Sequence, residues 1–426
     1  VGMGSFWFSS RRRHTRVTDV TGVQTCALPI SRVVNNNAET VVSGLKAGTV
    51  SETMESPVKV KEDSLLVPTY VVLPPNPMPR FYEGQAHQGV QRRYYPYPMN
   101  DNLTRTKVDK RYHIVYLENE YIRIGVMPGL GGRIFEAVDK TNGYNFFYRQ
   151  HVIKPSLIGM VGYWISGGNA WGFPHHHGPH TVAPMDYQVE RHADGSTTVW
   201  ISHIEKMHRL RILLGYTVRP GSSTVEMTIK PYNPTPYTCS FLFWANPSVH
   251  VDSTYQVIFP PSVEYVTQHH KSEMTSWPIA DGRYNRFDYT GKDISLWKNT
   301  GVPSSFFSWN PQEDFFGGYD HGKEAGTAWI GNHHTSPGMK YWADGNNPAG
   351  RMINDGLTDS DGQYIELMAG AYTDNQPDYS WLQPYESKEV TMTWFPLRDL
   401  GGMTEANKNG ALNLEADDDG RVTFRD

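Results

Sequence analysis

The chain has 426 residues, a formal net charge of −5, 19% charged residues and 13% aromatic residues, including 12 Trp and 25 Tyr. A mildly acidic chain lacks the basic face that nucleic acids require, and no apolar run is long enough to predict a membrane span. The length allows one large all-β domain. The surplus of aromatic rings fits either a β-rich core or a sugar site, since flat rings cover the apolar faces of pyranoses.

The first 66 residues are left out of the predicted domain. Residues 23–30 read Val-Gln-Thr-Cys-Ala-Leu-Pro-Ile and resemble a frame translation of a common sequencing adapter, so residues 1–30 are interpreted as an artefact rather than a basic arm. Residues 31–66 are polar and predict a linker or a loosely packed segment. With Cys26 set aside, Cys239 is expected in the core and no disulfide framework remains. Localisation stays open, with a periplasmic or secreted location favoured over a cytoplasmic one.

A Pro-rich and Tyr-rich arm from residue 67 leads into a succession of short alternating segments separated by Gly, Pro and Asn. No apolar helical period exceeds about two turns, whereas the alternation predicts strands. The fold class is therefore all-β, a sandwich or barrel over residues 67–400. Residues 401–426 are polar and predict the start of a following domain that is cut short. The predicted strands are residues 111–117, 121–127, 133–139, 197–204, 210–218, 223–232, 238–244, 327–330, 364–369 and 389–395.

A glycine turn and a histidine-rich loop carry the first candidate site residues. Arg133 follows the turn at residues 128–132 and either binds vicinal hydroxyls with its guanidinium fork or is an ordinary surface residue. Residues 162–180 contain Trp164, Trp171 and four histidines without a regular period. A sugar site, a metal site and simple packing of the loop all stay open for this stretch. Because neighbouring strand residues alternate faces, at most two of residues 175–177 point to one place.

Polar residues within or after apolar strands supply further candidates. Asn246 can donate to and accept from a hydroxyl, and Glu366 interrupts the otherwise apolar strand 364–369. A desolvated carboxylate has a raised pKa and makes a usable base near neutral pH, although a solvent-facing Glu366 is the competing interpretation. The remaining candidates lie near strand ends, where they either reach a pocket mouth or cap the sheet edge: His333, His334, Asp374 and Trp381.

Taken together, these stretches resemble an uncharacterised bacterial domain family of the galactose-mutarotase-like superfamily, whose members are usually joined to tetratricopeptide repeats. The resemblance implies a β-supersandwich that binds sugar on an open face, and protein partners through a repeat region missing from this chain. It rests on ordered matches that include Leu117-Glu-Asn-Glu120, Gly131-Gly-Arg-Ile134, Trp164-Ile-Ser-Gly-Gly168, Trp244-Ala-Asn246, Gly331-Asn-His-His334 and residues 364–384.

The resemblance also implies site roles. Aldose epimerases of the superfamily use a late glutamate as base and a histidine as acid, and Glu366 resembles that glutamate. The acid is expected from the histidine-rich segments 175–177 and 333–334, as His177 or His333. Substrate binding is assigned to Arg133, Trp164, Trp171, His176, Asn246, His334, Asp374 and Trp381. No metal or cofactor is expected.

One departure from the family pattern keeps two functions open. Relatives tend to carry Gly-Gly-Ile-Glu-Phe-Asn where this chain has Gly167-Gly-Asn-Ala-Trp-Gly172, so Ala170 stands where they have a glutamate. The first hypothesis is acid–base chemistry at an anomeric carbon, either epimerisation or hydrolysis with Asp374 or Asp378 as second carboxylate. The second is a non-catalytic carbohydrate-binding module of a larger tetratricopeptide-repeat protein.

Overall fold

A computed structural model describes residues 57–75, 96–157, 162–175, 177–374, 378–416 and 422–426. The strands in the first half of these residues are β1 (Lys59–Val72), β2 (Leu103–Glu118), β3 (Ile122–Met127), β4 (Arg133–Asp139), β5 (Asn145–Phe147), β6 (Ser156–Leu157), β7 (Tyr163–Trp164), β8 (Asn169–Gly172), β9 (Asp186–Arg191), β10 (Thr197–Ile204), β11 (Arg211–Val218), β12 (Val225–Tyr232), β13 (Cys239–Phe241) and β14 (Phe243–His250).

The second half continues with β15 (Tyr255–Ile258), β16 (Tyr265–Thr267), β17 (Met274–Ser276), β18 (Arg283–Tyr284), β19 (Phe287–Asp288), β20 (Ser304–Ser308), β21 (Phe315–Asp320), β22 (Ala325–Ile330), β23 (Gly338–Ala343), β24 (Tyr364–Ala371), β25 (Ser380–Leu382), β26 (Val390–Arg398), β27 (Glu405–Asn407), β28 (Gly410–Ala416) and β29 (Val422–Arg425). The single α-helix of the described residues, α1 (Pro348–Asp355), begins at the cap Asn347, whose side chain accepts from the backbone N–H of Gly350.

Two large antiparallel sheets dominate the described residues. The first has twelve strands in the order β1-β2-β3-β4-β8-β14-β24-β23-β20-β16-β17, with β5 paired to β4. The second has eight strands in the order β15-β21-β22-β26-β12-β11-β10-β9. Four small sheets, β13-β25, β18-β19, β6-β7 and β27-β28-β29, lie outside these two.

The hydrophobic core lies between the two large sheets. Side chains alternate faces along a strand, so Ile365, Leu367 and Ala369 of β24 enter the core while Tyr364, Glu366 and Met368 point to the opposite, outward face. The second sheet contributes apolar residues from β10, β11, β12, β22 and β26 to the same cluster. The sandwich core therefore uses one face of the large sheet and leaves the other available for a site.

The all-β prediction is confirmed, and each predicted strand overlaps an observed one. The largest difference is in β2, which begins at Leu103 rather than at residue 111. The predicted strand 238–244 is interrupted at Leu242 and continues as β14 to residue 250. Strand β1 begins at Lys59, so the sheet starts before the predicted boundary at residue 67. Residues 1–56, with the predicted artefact and most of the linker, lie outside the described residues. No helix that the described ranges contain is long and apolar enough to cross a membrane.

The segment after residue 400 packs on the sandwich rather than standing apart from it. Leu400, Met403 and Ala406 share a buried cluster with Phe315 and Tyr319 of the eight-stranded sheet. The described part of residues 401–426 is thus an extension of this domain, which corrects the predicted boundary because its apolar side chains are buried against β21.

Candidate functional site

The central strands β14, β24 and β23 place a group of polar side chains on the outward face of the twelve-stranded sheet. Their register sets Glu366 across from Ser248 on one side and from Trp342 on the other. We call Glu366, Tyr364, Asn246, Lys340 and Asp344 the Glu366 cluster. Each of these residues is buried, with Asn246 and Tyr364 at 0% and 3% exposure. A buried group this polar is unusual for the face of a sheet, and it marks a candidate site.

The environment of Glu366 raises the pKa of its carboxyl. Burial raises the pKa of its carboxyl, whereas the charge of Lys340 and the side chains of Asn246 and Tyr364 pull the pKa back down. Tyr364 donates its hydroxyl to Glu366 Oε1 at 3.4 Å. Burial holds the pKa of Tyr364 well above its usual value, so the tyrosine keeps its proton. Glu366 is 7% exposed, so its side chain is almost entirely removed from solvent.

Lys340 and Asp344 bring two more titratable groups to the same face. Burial lowers the pKa of Lys340 to about 8, against the opposing charge of Glu366. Burial, reinforced by the charge of Glu366, raises the pKa of Asp344 to about 7. Trp342 donates its indole N–H to Asp344 Oδ1 at 3.3 Å, while Asp344 Oδ2 has no hydrogen-bond partner among the described residues. The cluster therefore holds a carboxyl and an amine, of Asp344 and Lys340, that can change protonation near neutral pH, beside the Glu366 carboxyl with its raised pKa.

Replacing Asp344 by asparagine should change the pH dependence of stability. The pKa of Asp344 is about 7 in the folded chain and about 3.9 when unfolded, so the folded state binds the extra proton between these values. Its stabilising contribution is full below about pH 4 and is lost as pH rises through 7. The Asp344→Asn variant should therefore gain about 3 kcal/mol relative to wild type between pH 4.5 and pH 7.5, measured by urea unfolding.

The control for that measurement is Asp194→Asn, because Asp194 is fully exposed and hydrogen bonds from Ser196 lower its pKa. Its substitution should show no gain at pH 7.5. If the free energies of unfolding of Asp344→Asn and wild type differed by the same amount at pH 4.5 and pH 7.5, this would contradict the raised pKa that burial gives Asp344.

Aromatic rings and a histidine surround the outward face beside Glu366. The imidazole of His177 lies 5.9 Å from the ring of Trp164 and 5.3 Å from that of Trp244. Trp164 packs in one cluster with Tyr148 and Tyr364, which brings it beside the tyrosine that contacts Glu366. Trp244 lies flat over Gly172, where a Cβ would stand 2.3 Å from the indole. Flat rings beside carboxylates are a common surface for sugar recognition.

A cavity of about 540 Å³ opens at one end of this face. Tyr148 lines the cavity, and its ring stacks on Tyr364 with a centroid distance of 5.3 Å. Tyr364 in turn contacts Glu366, so the two stacked rings connect the wall of the cavity to the carboxylate.

The structure brings together four of the predicted site residues, namely Glu366, His177, Trp164 and Asn246. Lys340, Asp344 and Tyr364 were missed. The strand 338–343 carries a lysine between apolar residues, and Asp344 follows it four positions later on the same face. That charge pattern in a buried strand was the signal that identified Glu366, and it applies equally to Lys340.

The Glu366 cluster does not include His333, His334 or Asp374. The two histidines follow β22, a strand of the eight-stranded sheet, whereas Glu366 lies on the outward face of the other sheet. They line a separate cavity together with Asp374 and Asp378. His333 Nδ1 contacts Asp314 Oδ1 at 2.7 Å. The predictions of His333 as acid for Glu366, and of Asp374 or Asp378 as second carboxylate, are therefore corrected.

Arg133 and Trp171 stabilise the fold rather than bind a ligand. Arg133 is 1% exposed and donates to the backbone carbonyls of Ile165, Gly167 and Thr181 at 2.8–3.2 Å. Trp171 points into the sandwich core, because it neighbours Ala170 on β8 and strand residues alternate faces. Its indole donates to Gly131 O at 3.0 Å. Both predictions of substrate binding are corrected on these contacts.

The remaining predicted residues are dispersed. Trp381 is exposed on the small sheet β13-β25 and lines neither cavity described above. His175 contacts Ser240 Oγ at 3.0 Å and faces His208, and burial lowers its pKa to about 4. His176 lies outside the described residues. Within the described ranges no group of three or more His, Cys, Asp or Glu side chains is arranged to hold a metal ion.

Solved structures share this architecture. A TPR-domain containing protein from Parabacteroides distasonis superimposes with a TM-score of 0.69 at 22% identity, over 80% of this chain and 56% of that one. The Slr1438 protein from Synechocystis gives a TM-score of 0.48 at 10% identity, over 68% and 97% of the two chains. A galactose mutarotase-like protein from Clostridium acetobutylicum gives 0.45 at 12%, over 67% and 96%. The chain thus corresponds to little more than half of the Parabacteroides protein.

The fold is a two-sheet antiparallel β-sandwich that the Parabacteroides protein shares. Residues 90–397 match the model of a domain of unknown function, DUF5107. The chain belongs to the DUF5107 family, and the resemblance found in its sequence is confirmed.

Proposed function

We propose that the chain binds a sugar on the outward face of the twelve-stranded sheet and exchanges protons at its anomeric carbon. The observation that carries the proposal is the Glu366 cluster: three buried titratable groups beside Trp164, Trp244 and His177. Perturbed acid–base groups collect at functional sites because catalysis needs protonation changes near the working pH. Carbohydrate is the fitting ligand because rings and hydrogen-bonding groups alternate on this face.

In the proposed reaction Glu366 removes the proton of the anomeric hydroxyl. The electron pair left on that oxygen forms the carbonyl as the bond from C1 to the ring oxygen breaks, and His177 protonates the ring oxygen. Rotation about the bond from C1 to C2 followed by the reverse steps gives the other anomer, so no atom is gained or lost. Lys340 stabilises the ionised carboxylate before the transfer, and Tyr364 orients it through its hydrogen bond. General acid–base catalysis of this kind contributes about 10² to 10⁴ in rate.

Replacing Glu366 by glutamine tests the base. The amide keeps the shape but cannot take a proton, so anomer exchange should fall by about 100-fold or more while sugar affinity stays within about threefold. The exchange is measured by proton NMR on freshly dissolved α-D-glucose, α-D-galactose, α-D-xylose and D-mannose. The matched control is Glu264→Gln, since Glu264 is exposed, and it should behave as wild type. Unchanged exchange in Glu366→Gln would remove Glu366 from the mechanism.

A second candidate function is a non-catalytic carbohydrate-binding module of a larger tetratricopeptide-repeat protein. Ala170 supports it, because β8 sets this residue directly across from Asn246 on the outward face, where the family resemblance implies a glutamate. The likeness to a longer protein with a TPR domain is consistent with protein partners outside this domain. Saturable sugar binding without anomer exchange or cleavage in the wild-type chain would favour this function over the first.

A further inference from the structure

A cavity of about 750 Å³ lies at the end of the large sheet away from the Glu366 cluster. It is lined by Lys271, Ser308, Trp309, His333, Asp374 and Asp378, among others, and it shares no lining residue with that cluster. Pro337, which lines the cavity, precedes Gly338, the partner of Gly370 in β23. Gly370 lies four residues, about 13 Å, from Glu366 along β24.

An unsatisfied hydroxyl points to a ligand in this cavity. Ser308 is 4% exposed and lines the cavity, yet its Oγ has no hydrogen-bond partner among the described residues. A buried polar group without a partner costs about 1–3 kcal/mol, and such groups are rare in folded proteins. A ligand hydroxyl would supply the missing partner, since a serine hydroxyl both donates and accepts.

The charged side chains that line the cavity favour a neutral ligand. Lys271 forms ion pairs with Asp374, at 3.0 Å, and with Asp378. Two carboxylates against one ammonium leave an excess of negative charge, which disfavours phosphates and acidic sugars. Carboxylates and His333 provide acceptors and donors along the wall, as the hydroxyls of a neutral saccharide require.

The aromatic wall fits the same ligand. Trp309 is 42% exposed and lines the cavity, with Lys271 Nζ 5.8 Å from its ring centroid. An exposed indole beside hydroxyl-binding groups offers a flat apolar surface to the face of a pyranose. Cavities of this size accommodate ligands of one to a few rings.

We infer that this cavity is a second saccharide-binding site, which holds a unit of a neutral oligosaccharide through Trp309, Ser308 and the carboxylates around Lys271. The site goes beyond the proposed function, because binding here needs neither Glu366 nor turnover. It also accounts for His333 and Asp374, the sequence-predicted residues that the fold separates from Glu366.

The experiment is isothermal titration of the full chain with maltohexaose, cellohexaose, xylohexaose and laminarihexaose. At least one should bind, and Trp309→Ala should weaken that binding by about tenfold through loss of the ring contact. Ser308→Ala should weaken oligosaccharide binding by about fivefold, because one hydrogen bond contributes about 1 kcal/mol. Because Ser308 Oγ has no partner to lose among the described residues, this variant should unfold at an unchanged or higher midpoint, and the loss of affinity then belongs to the ligand. Tyr237→Ala is the control, since Tyr237 is exposed and does not line the cavity.

The results separate this site from the proposed function. Retained oligosaccharide affinity in Glu366→Gln, with weakened affinity in Trp309→Ala, supports a second site whether or not Glu366 is a base. Binding lost in Glu366→Gln but kept in Trp309→Ala would overturn the second site and leave the proposed function standing. An absence of binding by all four hexasaccharides would also overturn it.

Discussion

Replacing Arg133 by methionine should lower the free energy of unfolding by about 3 kcal/mol while sugar affinity stays unchanged. The guanidinium donates to three backbone carbonyls, of Ile165, Gly167 and Thr181, and methionine fills its space without a donor. Removal of the buried charge, whose desolvation lowers the pKa of Arg133 to about 10, offsets part of the loss. Hydrogen bonds from a charged donor are worth about 1.5–3 kcal/mol each, so the loss of three outweighs that relief.

Urea unfolding measures this effect, and Arg111→Met is the control. Arg111 is exposed and makes one long hydrogen bond to Ser64 O at 3.4 Å, so its substitution should change stability by less than about 0.5 kcal/mol. Sugar affinity is measured at a temperature where both variants are folded. A tenfold loss of affinity in Arg133→Met under those conditions would restore Arg133 as a ligand-binding residue.

Replacing Gly168 by alanine should destabilise the chain by about 3 kcal/mol or more and disturb the site as well. Gly168 has a φ of +66°, and an added Cβ would lie 2.0 Å from the carbonyl oxygen of Ile134. The left-handed conformation alone costs an alanine about 1–2 kcal/mol, and the contact with backbone forces the turn to move. Since Gly168 leads directly into β8, the movement reaches Ala170 opposite Asn246 and should weaken sugar binding.

Gly143→Ala is the matched control for this prediction. Gly143 also has a left-handed φ, of +78°, but nothing lies within 4 Å of an added Cβ. Its substitution should cost only the conformational part, about 1 kcal/mol, with sugar affinity unchanged. Equal losses in the two variants, measured by urea unfolding, would show that the contact with Ile134 relaxes freely and that the turn does not position β8.

The interpretation of the site changes most where sequence neighbours face different ways. Ala170 faces Asn246 on the outward side, whereas Trp171, the next residue, enters the core. His175 and His177 lie two positions apart, yet one faces His208 and the other Trp164 and Trp244. A motif that looks like one histidine-rich site therefore divides among several environments.

The amino-acid sequence by itself determined the all-β class and the positions of about a third of the strands, and it singled out Glu366 as a candidate base. Alternation along β12 reflects burial on one face, because a strand with a core on one side keeps a period of two. A carboxylate inside an apolar strand is visible in the same pattern of residues. One-sided burial and an isolated charge are local properties, so the local sequence pattern reveals them.

Only the tertiary structure decided which polar residues share a site. Lys340 and Asp344 reach Glu366 because β23 pairs with β24 in one register, and a change of register by one residue would turn them to the other face. His333 and Asp374 were separated from Glu366 because β22 joins the second sheet and residue 374 lies beyond the end of β24. Arg133 has a structural role because the turns around residues 165 and 181 fold back onto it, and their backbone carbonyls accept hydrogen bonds from its guanidinium. Pairing between strands that are distant in the sequence decides each of these outcomes, and the spacing of residues along the chain does not reveal that pairing.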